Sequence, residues 1–110
     1  MILGLDVSTS ITGYTVLDVD GNLVEYGSID TRKHKNFFIK VRVVEEKLSA
    51  LKRSYAVQAI YIEQSLQSFR SGFSSAQTLS TLSRFNGVVS WLCFKLFNLE
   101  PEYFAAVTAR

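Results

Sequence analysis

At 110 residues and 12.4 kDa the chain has room for one domain and not two, since separate cores form per about 100–200 residues. An apolar fraction of 47%, with six glycines and one proline, excludes the disordered, collagen-like and low-complexity classes. The net charge of +2 hides a strong asymmetry. Residues 1–31 hold five acids and no base, residues 32–53 hold eight bases against two acids, and residues 64–99 hold three bases and no acid. Such a distribution fits a polyanion-binding surface beside a locally acidic site, and it also fits a solvated basic helix face.

In chain order, Ile2–Val7 is a short apolar run of the kind found in a strand covered on both faces. Ser8-Thr9-Ser10 interrupts it with turn residues, and Thr12–Asp18 resumes as a second strand rich in β-formers. Asp20-Gly21 marks a hairpin, and Leu23–Ile29 returns as a third strand. Phe37, Val41, Val44, Leu48, Leu51 and Tyr55 recur at steps of four and three, the apolar stripe of a helix. Ala59–Glu63 is a fourth strand that ends on a carboxylate, and Gln64–Ser75 is a polar, serine-rich loop. A helix runs from about Ser74 to Phe97, stopped by Asn98 and Pro101, and Glu102–Val107 is a last strand.

The order β-β-β-α-β-α-β predicts an α/β fold: a meander continuing through right-handed crossovers into a mixed five-stranded sheet with helices packed on it. The expectation is a single domain over residues 1–110. Cys93 lies in an apolar run and has no partner for a disulfide, so it reads as a small buried hydrophobe in a reducing compartment. The most lipid-like stretch, Val88–Leu99, contains Lys95 and Asn98 and falls short of the ~20 residues that span a bilayer. A cytoplasmic protein with no membrane partner is therefore expected.

Val88–Phe97 is apolar on nearly every face, more than one sheet can cover. Val88, Trp91, Leu92 and Phe94 are the candidates for contact with a second protomer or with a further helix of the same chain.

Two carboxylates stand out by position. Asp6 and Glu63 each lie at the C-terminal end of a hydrophobic run, with no Lys or Arg beside them in sequence. On adjacent parallel strands they would meet at one end of the sheet, where close carboxylates share a proton or bind a cation. Oxygen ligands on a rigid sheet suit Mg²⁺, with Mn²⁺ a possible substitute. Otherwise each acid merely caps its strand. His34 has no further ligand at metal spacing and reads as a solvated or phosphate-contacting residue.

Ile2-Leu-Gly-Leu-Asp-Val-Ser-Thr-Ser-Ile-Thr-Gly-Tyr14 resembles the first strand and turn of the RuvC-like Holliday junction resolvases, members of the ribonuclease H-like superfamily. Tyr61-Ile-Glu-Gln64 resembles that family's second acidic motif, Ala76–Gly87 its central helix and Glu102–Arg110 its fifth strand and following turn. The resemblance implies a ribonuclease H-like mixed sheet. It also implies an Mg²⁺-dependent endonuclease that resolves branched DNA in recombination and repair, acting as a homodimer with no small-molecule cofactor.

Asp6 and Glu63 match the family's first two metal-binding carboxylates, which implies catalytic and metal-ligating roles in hydrolysis with two metal ions about 4 Å apart. Where the family carries a glycine-bearing pair after the first Asp, this chain has Val7-Ser8. The family's remaining acids lie on a helix after the fifth strand. The expectation is thus a C-terminally truncated domain whose 110-residue form is inactive.

Ser8, Thr9, Gln64, Ser65, Phe69, Arg70 and Ser71, with Lys33 and Lys35 of the basic turn, are the candidate nucleic-acid contacts. Their hydroxyl, amide and cationic groups suit phosphate, which positions DNA without reading its sequence. Against them stands a mobile polar loop and an ordinary basic turn. The competing functions are a non-catalytic dimerising DNA-binding module, a nuclease of structured RNA from the same superfamily, and a nucleotide-binding lobe of the actin and sugar-kinase type.

Overall fold

A computed structural model describes residues 1–64 and 76–105. Its elements are β1 (Ile2–Asp6), β2 (Ile11–Leu17), β3 (Leu23–Asp30), α1 (Phe37–Ser54), β4 (Ala59–Gln64), α2 (Ala76–Phe97) and β5 (Glu102–Ala105). The sheet order is β3-β2-β1-β4-β5, with β1 antiparallel to β2, β2 antiparallel to β3, and β4 parallel to both β1 and β5. This is the mixed five-stranded α/β sheet expected from the sequence.

The side-chain period of two decides which face is buried. Leu3 and Leu5 of β1, Tyr14 and Val16 of β2, and Ile60 and Ile62 of β4 are at most 6% exposed and share one face. Val44, Leu48 and Leu51 of α1 and Phe85, Val89, Leu92 and Cys93 of α2 complete that core. Phe37 meets Phe85 edge-on, with ring centroids 5.5 Å apart. No helix among the described residues is long and apolar enough to cross a membrane.

Two expectations are corrected. The apolar run in β1 does not mean cover on both sides, because Ile2, Gly4 and Asp6 alternate onto a second face. That face forms an open concavity of about 450 Å³ lined also by Gly13, Thr15, Tyr26, Tyr61, Glu63 and Phe104. The run looks continuous because Gly4 carries no side chain to mark it as outward-facing. Leu92, in turn, is not a contact residue: it is 3% exposed and shares the inward face of α2 with Phe85 and Val89. Trp91 (56% exposed) and Phe94 (40%) do point outward, and Val88 is half-buried.

Local chemistry sets the element ends. Asn36 caps α1 by accepting from the amides of Phe38 and Ile39. Asn98 adopts a φ of 57° after α2, a conformation that asparagine tolerates better than most residues. The hairpin between β2 and β3 is wider than a two-residue turn. Asp18 accepts from the amides of Asp20 and Asn22 and from the Asn22 side chain, while Gly21 supplies the positive φ.

Candidate functional site

The parallel crossover through α1 brings the C-terminal ends of β1 and β4 to the same edge. In the register Asp6 stands directly opposite Glu63. Side chains paired in this way leave the sheet on the same side, and both line the open concavity. Asp6 is exposed and Glu63 half-buried. Partial desolvation, the negative charge of Asp6 and a hydrogen bond shared between the two side chains together raise the pKa of Glu63. A carboxyl held against a second carboxylate favours a proton or a cation between them.

Among the described residues no cluster of three or more His, Cys, Asp or Glu side chains is arranged to hold a metal. The pair remains a fit for a hard divalent ion, which typically takes one or two protein carboxylates and completes its shell with water and substrate phosphate.

The turn after Asp6 is firmly tied. Thr12 donates to the carbonyl of Ser8 and accepts from the Ser8 amide, and the hydroxyls of Ser8 and Ser10 lie 3.0 Å apart. The hydroxyl of Thr31, 1% exposed, lies 3.0 Å from the carbonyls of both Thr9 and Ser10 and shares its one hydrogen between them. The Lys40 ammonium donates to the Thr9 carbonyl at 2.5 Å. Ser8 and Thr9 thus follow Asp6 by two and three residues on a braced segment.

β3 runs parallel to β1, so the basic turn after it begins at the same edge of the sheet. Lys33 and Lys35 are exposed there. Arg32 is engaged by Asp30, whose carboxyl its bidentate hydrogen bonds lower to about 2. Gln64 continues β4, with its backbone alone described, and Ser65, Phe69, Arg70 and Ser71 lie outside the described residues.

Sequence reasoning missed Lys40, Thr31 and Thr12. Threonines in or after strands look like ordinary β-formers, and Lys40 reads as one more charge on the polar side of a helix. Only the fold brings Lys40 and Thr9 together across 31 residues of chain. A second polar cluster also escaped notice, in which Glu25 accepts from the hydroxyls of Tyr14 (2.7 Å) and Tyr55 (2.5 Å) and ties β3 to the end of α1.

No family model matches the chain. The crossover junction endodeoxyribonuclease RuvC of Bacteroides fragilis is 38% identical over 66 residues, covering 57% of this chain and 35% of the relative. That of Geobacter sulfurreducens is 33% identical over 66 residues, covering 57% and 40%. The chain therefore aligns with well under half the length of these curated relatives. Among solved structures, Thermus thermophilus RuvC in complex with a Holliday junction substrate superposes with a TM-score of 0.77 at 11% identity, covering 96% of this chain and 64% of that one. A second structure of Thermus thermophilus RuvC gives 0.72 at 13% identity, covering 94% and 63%.

Proposed function

We propose that this RuvC-like chain, built on the ribonuclease H-like fold, belongs to a metal-dependent endonuclease that cuts branched DNA. The observation that carries the proposal is the register of Asp6 opposite Glu63 at the open edge of the sheet. The fold shared with a junction-bound RuvC supports branched DNA as the substrate class.

Asp6 and Glu63 would hold the divalent ion, Mg²⁺ or Mn²⁺. An ion held there would supply Lewis-acid chemistry to the scissile phosphate and to the attacking water. The chain's own residues supply position and field. The two carboxylates fix the cation at the strand ends, and the braced turn of Ser8 and Thr9 offers hydroxyls to the phosphate. Gln64, Ser65, Phe69, Arg70 and Ser71 follow the second carboxylate in sequence and are proposed as further nucleic-acid contacts. Lys33 and Lys35 would neutralise phosphates further along the same edge. Two carboxylates suffice for one ion with substrate phosphate, while a second ion needs additional ligands, so little or no turnover is expected from these 110 residues alone.

We further propose a homodimer through the outward side of α2. Trp91 and Phe94 lie with ring centroids 5.9 Å apart, tilted to one another, and a concavity of about 730 Å³ is lined by Trp91, Val88, Phe37 and Phe38. The exposure of Trp91 (56%) and Phe94 (40%) on one side of α2 supports this reading. Two symmetric active sites would then face the two strands of a junction.

The test is binding and nicking of a synthetic four-way junction, with linear duplex and structured RNA as competitors. Junction-selective, salt-sensitive binding is expected, with any nicking dependent on Mg²⁺ or Mn²⁺ and lost in D6N and E63Q. Equal affinity for linear duplex, or nicking untouched by both substitutions, overturns the assignment. Preference for the RNA moves the chain to an RNA substrate on the same fold.

A further inference from the structure

We infer that Lys40 is a positioning residue for the carboxylate edge: its ammonium, held on the Thr9 carbonyl, keeps the Ser8–Ser10 turn in the shape that receives a nucleic-acid phosphate. The inference rests on the nucleic-acid reading above and names a residue that fixes its geometry.

Lys40 lies in the first turn of α1, where a base opposes the helix dipole and an acid would be favoured. Helix stability therefore does not account for it. Among the described residues its ammonium meets no carboxylate within ion-pair distance, and its hydrogen bond goes instead to a backbone carbonyl three residues beyond Asp6. That carbonyl also accepts from the buried Thr31 hydroxyl at 3.0 Å, so two donors from different segments converge on one oxygen. Thr31 further binds Ser10 through its amide and its hydroxyl, and Thr12 fastens Ser8 from within the sheet. The turn is thus closed at Ser8, Thr9 and Ser10 by side chains from β2, from the segment after β3 and from α1.

Turn residues left to themselves sample several conformations, and freezing them at the moment of binding costs affinity. A clamp that freezes them beforehand fixes the turn that follows Asp6 before the phosphate arrives. A charge-assisted hydrogen bond is roughly twice as strong as a neutral one, which suits Lys40 to this task. Because the ammonium donates to the protein's own carbonyl, its effect is assigned to the shape of the turn and not to a direct phosphate contact.

That distinction makes the inference testable with the 110-residue chain. Four-way junction affinity is measured by fluorescence anisotropy across a salt series for the unsubstituted protein, K40M, K40R and T31V. The expectation is a loss of about fivefold in K40M, the scale of one modest hydrogen bond, with an unchanged salt slope. K40R should return to within about twofold, T31V should fall in the same direction as K40M, and melting temperatures should fall by no more than about 8 °C, the cost of one hydrogen bond, so that each variant stays folded in the assay.

Unchanged affinity in K40M overturns the inference. So does a loss in which the salt slope falls by about one, since Lys40 would then be a direct phosphate contact. If the unsubstituted chain shows no junction binding, the nuclease reading fails separately. Amide exchange at Ser8, Ser10 and Thr31 then decides the clamp: faster exchange in K40M, restored in K40R, supports it, and unchanged exchange overturns it.

Discussion

Asp6 and Glu63 occupy one register position on neighbouring parallel strands, and partial burial together with the charge of the first raises the pKa of the second. Without a bound cation this arrangement works against folding. A carboxyl with a raised folded-state pKa contributes stability at low pH that is lost as pH rises through that pKa. At neutral pH the pair repels itself, discounted by the water that reaches it. Neutralising either member should therefore raise the melting temperature in EDTA at low salt, by about 1–3 °C. Differential scanning fluorimetry of D6N and E63Q checks this, and a fall in both contradicts it.

Glu25 works in the opposite sense. Hydrogen bonds from Tyr55 and then Tyr14 lower its pKa, and Arg32 lowers that of Asp30 to about 2 from the ordinary 3.8. Stability from such groups is present above the unfolded pKa and disappears as pH falls through the folded one. Acid unfolding followed by circular dichroism should show a limb below about pH 4 that E25Q and R32A each flatten. An unaltered limb in both variants would mean that these contacts do not contribute.

Gly27 is required by the ring opposite it. A methyl group there would meet the Tyr14 hydroxyl at 2.7 Å and its ring carbons at 2.9 Å. Tyr14 is only 6% exposed and is tethered to Glu25, so it has little room to yield. G27A should cost about 1–3 kcal/mol by overpacking, read from urea denaturation. A neutral result would show that the ring swings aside freely.

The two faces of α2 should separate stability from association. F85A empties a fully buried position and should cost about 3–5 kcal/mol. W91A alters an outward side chain and should change stability by about 0.5 kcal/mol or less while reducing self-association. Sedimentation velocity alongside urea denaturation distinguishes the two. Undiminished association in W91A contradicts the proposed dimer surface.

Most of the fold was legible because its signals are local. The step of four and three from Phe37 to Tyr55 marks α1, the Asp18–Asn22 turn separates β2 from β3, and Asn98 and Pro101 close α2. Asp6 and Glu63 were also legible, since a carboxylate ending an apolar strand is conspicuous and the parallel crossover aligns strand ends. What could not be read depends on the third dimension. The open face of β1 was hidden by Gly4, and Leu92 was indistinguishable from Trp91 in a helix apolar all round. Lys40 is meaningful only through a carbonyl 31 residues away. Ser65, Phe69, Arg70 and Ser71 lie outside the described residues, so their place at the site remains a reading of the sequence.

We propose that one divalent ion is held jointly by Asp6 and Glu63. Titration of Mn²⁺ into the protein, with free ion followed by electron paramagnetic resonance, measures this without requiring turnover. Uptake by the unsubstituted chain is expected, with D6N and E63Q each removing it and the double variant losing nothing further, because ligands of one ion act as a unit. Uptake that survives both single substitutions, or that falls by independent steps, would place the cation elsewhere and remove the basis for a nuclease centre at this edge.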